Sequence, residues 1–227
     1  MISATTRLVV LLGHPVADSL SPRMQNAAFA ARGLDLAYLA CDVVPGDFET
    51  AVRGLVAAGF AGANVTAPHK LAAAAVAETD EKSVNTLLFE AGRMRGFSTD
   101  TAVLEGRSPE RPVVIGGGGA ARAFAEALPG ARVFSRRGEW PPAAGDADLV
   151  VNATSERDEV VVELSRGQVL IDLPYPETAT AAAARQSGAE VVSGLEVLVA
   201  QGAASFELWT GVPAPVEVMR RAVGLSA

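Results

Sequence analysis

The sequence has a single cysteine, Cys41, and only two lysines, Lys70 and Lys82, among its 227 residues. One cysteine rules out a disulfide framework and a cysteine-based zinc site, and Cys41 reads as a small apolar residue in a reducing compartment. A net charge of −7 leaves no basic face for nucleic acid or for an anionic membrane surface, so any anionic ligand has to be met by local groups. No apolar run is long enough to span a bilayer, because the alanine-rich stretches are broken by charges or glycine, and no leader-like segment precedes the first strand. Internal repeats and low-complexity tracts are lacking too. The expectation is a cytoplasmic protein with no metal centre, no nucleic-acid or membrane partner, and a monomeric or homodimeric state. What is present, 49% hydrophobic and 20% charged residues, is ordinary for a folded chain that forms two small α/β domains or one large one.

The most informative stretch runs from Pro112 to Arg137. Val113, Val114 and Ile115 make a short β-branched run suited to a strand buried on both faces, and Gly116, Gly117, Gly118, Gly119 and Ala120 follow at once. A helix over Ala121 to Leu128 ends at Pro129-Gly130, and Ala131 to Ser135 supplies a second strand. Gly116, Gly118 and Ala121 occupy the three places of the G-x-G-x-x-G/A fingerprint, which needs a tight turn, close backbone approach to a pyrophosphate and close helix–strand packing. The second strand ends in Ser135-Arg136-Arg137, where a site for NAD would carry an acid for the ribose 2′-hydroxyl. A guanidinium fork there suits a 2′-phosphate, so the expected cofactor is NADP.

The first hundred residues alternate strand and helix. Strands are expected at Arg7 to Gly13, Leu36 to Val43 and Gly62 to Thr66. Ser21-Pro22 reads as the cap and first residue of one helix, Asp47 to Ala58 as a second, and Pro68 as the head of a third. Val84 to Phe89 and Met94 to Phe97 form an antiparallel hairpin at the sheet edge. Gly106 to Pro112 reads as the linker, giving a substrate domain over 1–106 and a dinucleotide domain over 107–212, with the C-terminal helix of 213–227 packing back on the first. Residues 136–147 are too rich in proline and glycine for a crossover helix, so the second domain is a trimmed Rossmann unit. The fold class is therefore α/β: an N-terminal domain with a mostly parallel sheet, followed by a trimmed Rossmann NADP-binding domain.

Seventeen arginines against two lysines means that arginine serves almost wherever a cation is wanted. A retained lysine stands out because arginine cannot give up its proton and lysine can, which makes Lys70 a candidate proton donor or acceptor. Lys82, within Thr79-Asp-Glu-Lys-Ser83, reads as a solvated surface residue.

Seven blocks, in order, resemble the shikimate dehydrogenase family. They are His14-Pro-Val-Ala-Asp-Ser19-Leu-Ser21-Pro22, Ala63-Asn64-Val65-Thr66-Ala-Pro68-His69-Lys70, Val84-Asn85-Thr86, Gly96-Phe-Ser-Thr99-Asp100, the Gly116 loop with Ser135-Arg136-Arg137, Asn152-Ala-Thr154-Ser155, and Gly194-Leu-Glu-Val-Leu-Val-Ala-Gln201. The resemblance implies NADPH-dependent reduction of 3-dehydroshikimate to shikimate, or formation of a closely related cyclic hydroxy acid, in aromatic amino-acid synthesis. It implies that Lys70 and Asp100 form the catalytic pair, that Ser19 and Ser21 bind the substrate carboxylate, and that Thr66, Asn85 and Gln201 hold ring hydroxyls. Tyr175 would lie near the substrate, and Asn152, Thr154, Ser155 and Gly194 towards the nicotinamide. His69 reads as a structural loop histidine. Two segments, 71–83 and 138–147, are shorter than the family pattern. A second reading follows from them: a non-catalytic module that binds a dinucleotide or shikimate.

Overall fold

The computed structural model describes residues 2–226, and the chain divides into two compact units, 1–99 with 199–227 and 100–198. The division falls a few residues before the Gly106 linker, and again inside a helix rather than after residue 212. Val103 and Leu104, in a 3₁₀ turn spanning Asp100–Leu104, pack into the apolar core of the second unit, which draws that turn across the expected boundary.

In the first unit, β1 (Arg7–Gly13), β2 (Leu36–Asp42), β3 (Gly62–Val65), β4 (Thr86–Glu90) and β5 (Arg93–Phe97) form one sheet in the order β2-β1-β3-β4-β5. The first three strands are parallel, as their β-branched and apolar character requires, and β4 and β5 add the antiparallel edge. The hairpin turn is Ala91-Gly92, both at positive φ (51° and 77°), which matches the right-handed twist of the strands it joins. On one face Val10, Leu12, Ala63 and Val65 pack with α2 (Phe48–Ala57) and α3 (Lys70–Val76) through Phe48, Val52 and Ala73. The remaining helices of the unit are α1 (Ser21–Ala31), the end of α6 (Gly194–Thr210) and α7 (Val216–Ala222). Phe29 of α1 stacks on Phe206 of α6 at 5.5 Å, and α7 lies against α1. Gly202 permits this close approach, because a Cβ there would overlap the Met24 side chain.

Two helix starts differ from the sequence expectation. The cap of α1 is Leu20, with Ser21 already helical, and α3 begins at Lys70 after His69, leaving Pro68 outside the helix. Ser21 is thereby not used as a cap.

The second unit is an all-parallel sheet of β6 (Pro112–Ile115), β7 (Arg132–Phe134), β8 (Leu149–Asn152), β9 (Val169–Asp172) and β10 (Glu190–Val192), in the order β10-β9-β8-β6-β7. Strand order reverses beside β6, as in a doubly wound fold. One face is covered by α4 (Gly119–Ala127) through Ala121 and Phe124, together with Val197 of α6. The other carries α5 (Ala179–Gln186) and, where crossover helices would stand, loop side chains Ala144, Ala147, Val162 and Leu164. Gln168 fixes that substitute layer. Its buried amide donates to the Ala144 and Ala147 carbonyls at 2.8 and 2.7 Å and accepts from the Ser165 N–H at 2.7 Å. A loop replacing a helix has its own backbone groups to satisfy, and one glutamine satisfies three of them.

Candidate active site

In the first unit the expected substrate residues gather at the carboxyl ends of the parallel strands, where an α/β sheet presents its ligand site. Ser19 and Ser21 follow β1; Ser19 is half-buried, Ser21 is buried, and the Ser21 N–H donates to Ser19 Oγ at 3.3 Å. Thr66 follows β3, half-buried, and lies so close to the end of β1 that a Cβ on Gly13 would overlap its methyl group. Lys70 is half-buried at the first position of α3, and its carbonyl accepts from the Val84 N–H at 3.1 Å. Beside it, His69 is committed to the fold: its ring stacks on Phe48 at 4.8 Å and Nε2 donates to the Val43 carbonyl at 2.6 Å.

Asn85 sits at the centre of a buried polar network. Its Oδ1 accepts from the Thr99 N–H at 2.7 Å, while its Nδ2 donates to Thr99 Oγ1 at 2.9 Å and lies 3.4 Å from Gln201 Oε1. Behind it, the hydroxyls of Thr86, Thr99 and Ser205 approach one another at 2.8–3.1 Å, and Asn64 Nδ2 reaches both Thr86 Oγ1 and Ser205 Oγ. The Tyr38 hydroxyl closes the network by donating to Asn64 Oδ1 at 2.7 Å. A fully partnered network of this kind fixes side-chain orientation, which a site that must read hydroxyl positions requires. Of these residues, Asn85 and Gln201 are expected as site residues from the sequence, whereas Tyr38, Asn64, Thr86, Thr99 and Ser205 are not. A polar Asn64 between Ala63 and Val65 in a buried strand, and Ser205 four residues after Gln201 on one helix face, were the available signals.

In the second unit, Asp100 opens the 3₁₀ turn and is buried. The glycine loop joins β6 to α4. Gly116 has φ +143°, and a Cβ there would meet the Ala153 carbonyl oxygen at 2.8 Å, so only glycine fits. Gly118 caps α4 with extended backbone and no side-chain cap, which leaves the N–H groups of Gly119, Ala120 and Ala121 pointing out of the helix start. A Cβ on Gly118 would meet nothing within 4 Å, and one on Gly117 only the Ser135 Cβ at 3.7 Å. An open glycine surface before bare helix N–H groups fits a dinucleotide pyrophosphate.

Ser135, Arg136 and Arg137 follow β7 in a turn whose Gly138 N–H donates to the Ser135 carbonyl at 2.9 Å. Both arginines are exposed; Arg136 lies over the Trp140 ring at 5.7 Å and donates to Glu156 Oε2 at 3.2 Å. Asn152 is fully buried, donating to Asp172 Oδ1 at 2.7 Å and accepting from the Thr154 hydroxyl at 2.8 Å. Asp172 also accepts from the Thr178 hydroxyl at 2.8 Å, and burial pushes its carboxyl above the ordinary aspartate range against the pull of those two donors. Ser155 is exposed and Tyr175 half-buried. Gly194, the first residue of α6, is pressed against the Leu173 and Pro174 carbonyls, where no side chain has room. Cys41 is half-buried and free. Among the described residues, no group of three or more potential metal ligands occurs and no helix is long and apolar enough to cross a membrane.

A Rossmann-type domain with a bare helix N-terminus, carried on one chain with an α/β domain whose strands end in hydroxyls, amides and a lysine, defines the class of α/β oxidoreductases that use a dinucleotide. Residues 11–87 match the family model described as the shikimate dehydrogenase substrate binding domain, and residues 194–223 match that of the shikimate 5′-dehydrogenase C-terminal domain. The chain is 42% identical to the shikimate dehydrogenase (NADP(+)) of Moorella thermoacetica, covering 100% of this chain and 97% of that one. It is 38% identical to the shikimate dehydrogenase (NADP(+)) of Methanopyrus kandleri, over 98% and 96% of the two chains. Among solved structures, a shikimate dehydrogenase in complex with NADP+ has a TM-score of 0.88 at 32% identity, covering 98% of this chain and 96% of that one. The Thermus thermophilus shikimate 5-dehydrogenase in complex with NADP(H) and shikimate has a TM-score of 0.84 at 31% identity, over 95% and 98%. This chain belongs to the shikimate dehydrogenase family. It is a shortened member: the Moorella alignment spans 285 positions against the 227 residues here.

Proposed function

We propose that the protein reduces the ring ketone of 3-dehydroshikimate to the hydroxyl of shikimate, with NADPH as reductant, in the cytoplasm. The residues present fit the cofactor. Gly116, whose own N–H donates to the Phe134 carbonyl at 2.8 Å, shapes the turn; the N–H groups from Gly117 to Ala120 would receive the pyrophosphate, and Ser135, Arg136 and Arg137 the adenosine 2′-phosphate. Asn152, Thr154, Ser155 and Gly194 border the nicotinamide side. When bound, the reduced nicotinamide supplies a hydride to the ketone carbon.

The protein's own groups do the rest. Ser19 and Ser21 donate hydroxyl hydrogen bonds to the substrate carboxylate, and Thr66, Asn85 and Gln201 hold the ring hydroxyls, with Tyr175 alongside the substrate. Negative charge grows on the ketone oxygen as the carbon is reduced, and Lys70 stabilises that charge and delivers the proton that completes the alcohol. Asp100 orients Lys70 for the transfer. The observation that supports this reading is kinship over the whole chain, with relatives that are themselves NADP-dependent shikimate dehydrogenases.

The test is loss of reduced-nicotinamide absorbance when the purified protein is mixed with NADPH and 3-dehydroshikimate. Turnover that disappears in Lys70→Ala supports the reading. A ligand-induced rise in melting temperature with no turnover in the parent would replace it with a binding module.

A further inference from the structure

A line of hydrogen bonds runs from the interior of the second unit to its arginine turn. Asp172 anchors Asn152, whose Oδ1 holds the Thr154 hydroxyl at 2.8 Å. Thr154 Oγ1 in turn accepts the backbone N–H of Glu156 at 3.3 Å, and the Glu156 carboxylate receives Arg136 at 3.2 Å. The Glu156 side chain is fixed as well as its backbone. Its Oε1 accepts the N–H groups of Arg157 and Asp158 at 3.1 and 3.2 Å. Those backbone donors, Asp158 first, together with Arg136 hold the carboxyl below the ordinary glutamate range. Glu156 is therefore an anchored anion placed on the guanidinium that the proposed function assigns to the 2′-phosphate, and Glu159 stands 4.0 Å from the same guanidinium.

We propose that Glu156 is a cofactor-specificity residue that lowers this protein's preference for 2′-phosphorylated nucleotides. This rests on the reading of Arg136 as a 2′-phosphate contact. Two effects oppose each other at this position. A carboxylate that holds Arg136 still reduces the entropy lost on binding, whereas a fixed negative charge beside the arriving phosphate repels it and competes for the same N–H donors. Repulsion prevails, for two reasons. The Trp140 ring already gives Arg136 a resting place that does not depend on Glu156, and the phosphate carries more charge than any gain in order offsets. Nicotinamide dinucleotides without the 2′-phosphate are spared both penalties. Arg136 is exposed and Glu156 half-buried, so solvent screens the pair and the effect is modest.

The experiment titrates 2′,5′-ADP and 5′-AMP into the full-length protein by calorimetry, for the parent, Glu156→Gln, Arg136→Gln and the double variant. Glu156→Gln is expected to tighten 2′,5′-ADP about two- to fivefold while leaving 5′-AMP unchanged, as removal of one partly screened charge pair allows. The gain should vanish in the double variant, and Glu159→Gln should give a smaller one. An unchanged or weakened affinity for 2′,5′-ADP in Glu156→Gln overturns the proposal, as does equal tightening of both nucleotides. If Arg136→Gln lowers the preference for 2′,5′-ADP but Glu156→Gln does not raise it, the proposal alone falls. If Arg136→Gln leaves the preference intact, the assignment of Arg136 falls and the proposal with it.

Discussion

Asn152 donates to Asp172 at 2.7 Å inside the second unit, and among the described residues no other acceptor meets that amide. Asp172→Leu would leave the Asn152 amide N–H and the Thr178 O–H without their acceptor in a buried place, and is expected to cost about 2–4 kcal/mol in urea unfolding. Asp172→Asn keeps the shape and one acceptor and should cost less.

The same residue gives a signed pH dependence. Burial raises the Asp172 pKa in the folded state, so the native protein binds this proton more tightly than the unfolded chain does. Its contribution to stability is fully present below the unfolded value of about 3.9 and is lost as pH rises through the raised folded value. The stability of the parent relative to Asp172→Asn, followed by denaturant unfolding across the acid range, should therefore fall with rising pH. A difference that grows instead would mean that the donors outweigh burial.

Lys70→Met should lower kcat by about 10²–10⁴ with a much smaller rise in KM, since the charge on the ketone oxygen exists mainly in the transition state. Lys70→Arg retains the cation but cannot release the proton, so substrate binding should survive without turnover. Full activity in Lys70→Arg would reduce Lys70 to an electrostatic anchor. Steady-state kinetics with both substrates varied distinguishes these results, and Asp100→Asn should act in the same direction as Lys70→Met.

Gly116→Ala places a Cβ against the Ala153 carbonyl at a φ of +143°, which only glycine adopts freely. The turn must shift, at a cost of about 1–3 kcal/mol, and the shift moves the N–H groups that the proposed function assigns to the pyrophosphate. Dinucleotide affinity should fall more than melting temperature does. Affinity equal to the parent's would show that the turn tolerates the distortion.

Trp209 donates its indole N–H to the Leu87 carbonyl at 3.0 Å, over the place where Gly62 has no side chain. Trp209→Phe should cost about 1 kcal/mol for the lost hydrogen bond, plus a small packing loss. Gly62→Ala should cost at least as much, about 1–3 kcal/mol, because the new methyl overlaps both the indole and the carbonyl. Thermal unfolding of the two variants checks the order.

The local rules were written plainly in the chain. β-Branched runs gave the buried strands, Pro129-Gly130 ended α4, and the glycine run stood between a strand and a helix because no other residue accommodates Gly116. The proline- and glycine-rich stretch after Arg137 also announced that a crossover helix was missing. Sequence by itself therefore determined the α/β class, the order of strands and helices along the chain and the residue types available for chemistry. Only the tertiary structure decided which polar groups meet. Tyr38 and Ser205 join Asn64, and Gln201 approaches Asn85, across separations of 116 to 141 residues or between different elements, through contacts that no local spacing encodes. The same holds for Gln168, which fixes the loop segments beside α5 by reaching carbonyls more than 20 residues away, and for Glu156, which the fold lays on Arg136, 20 residues from it in sequence. Propensity is a property of neighbours in sequence, whereas hydrogen-bond satisfaction in a buried site is a property of neighbours in space.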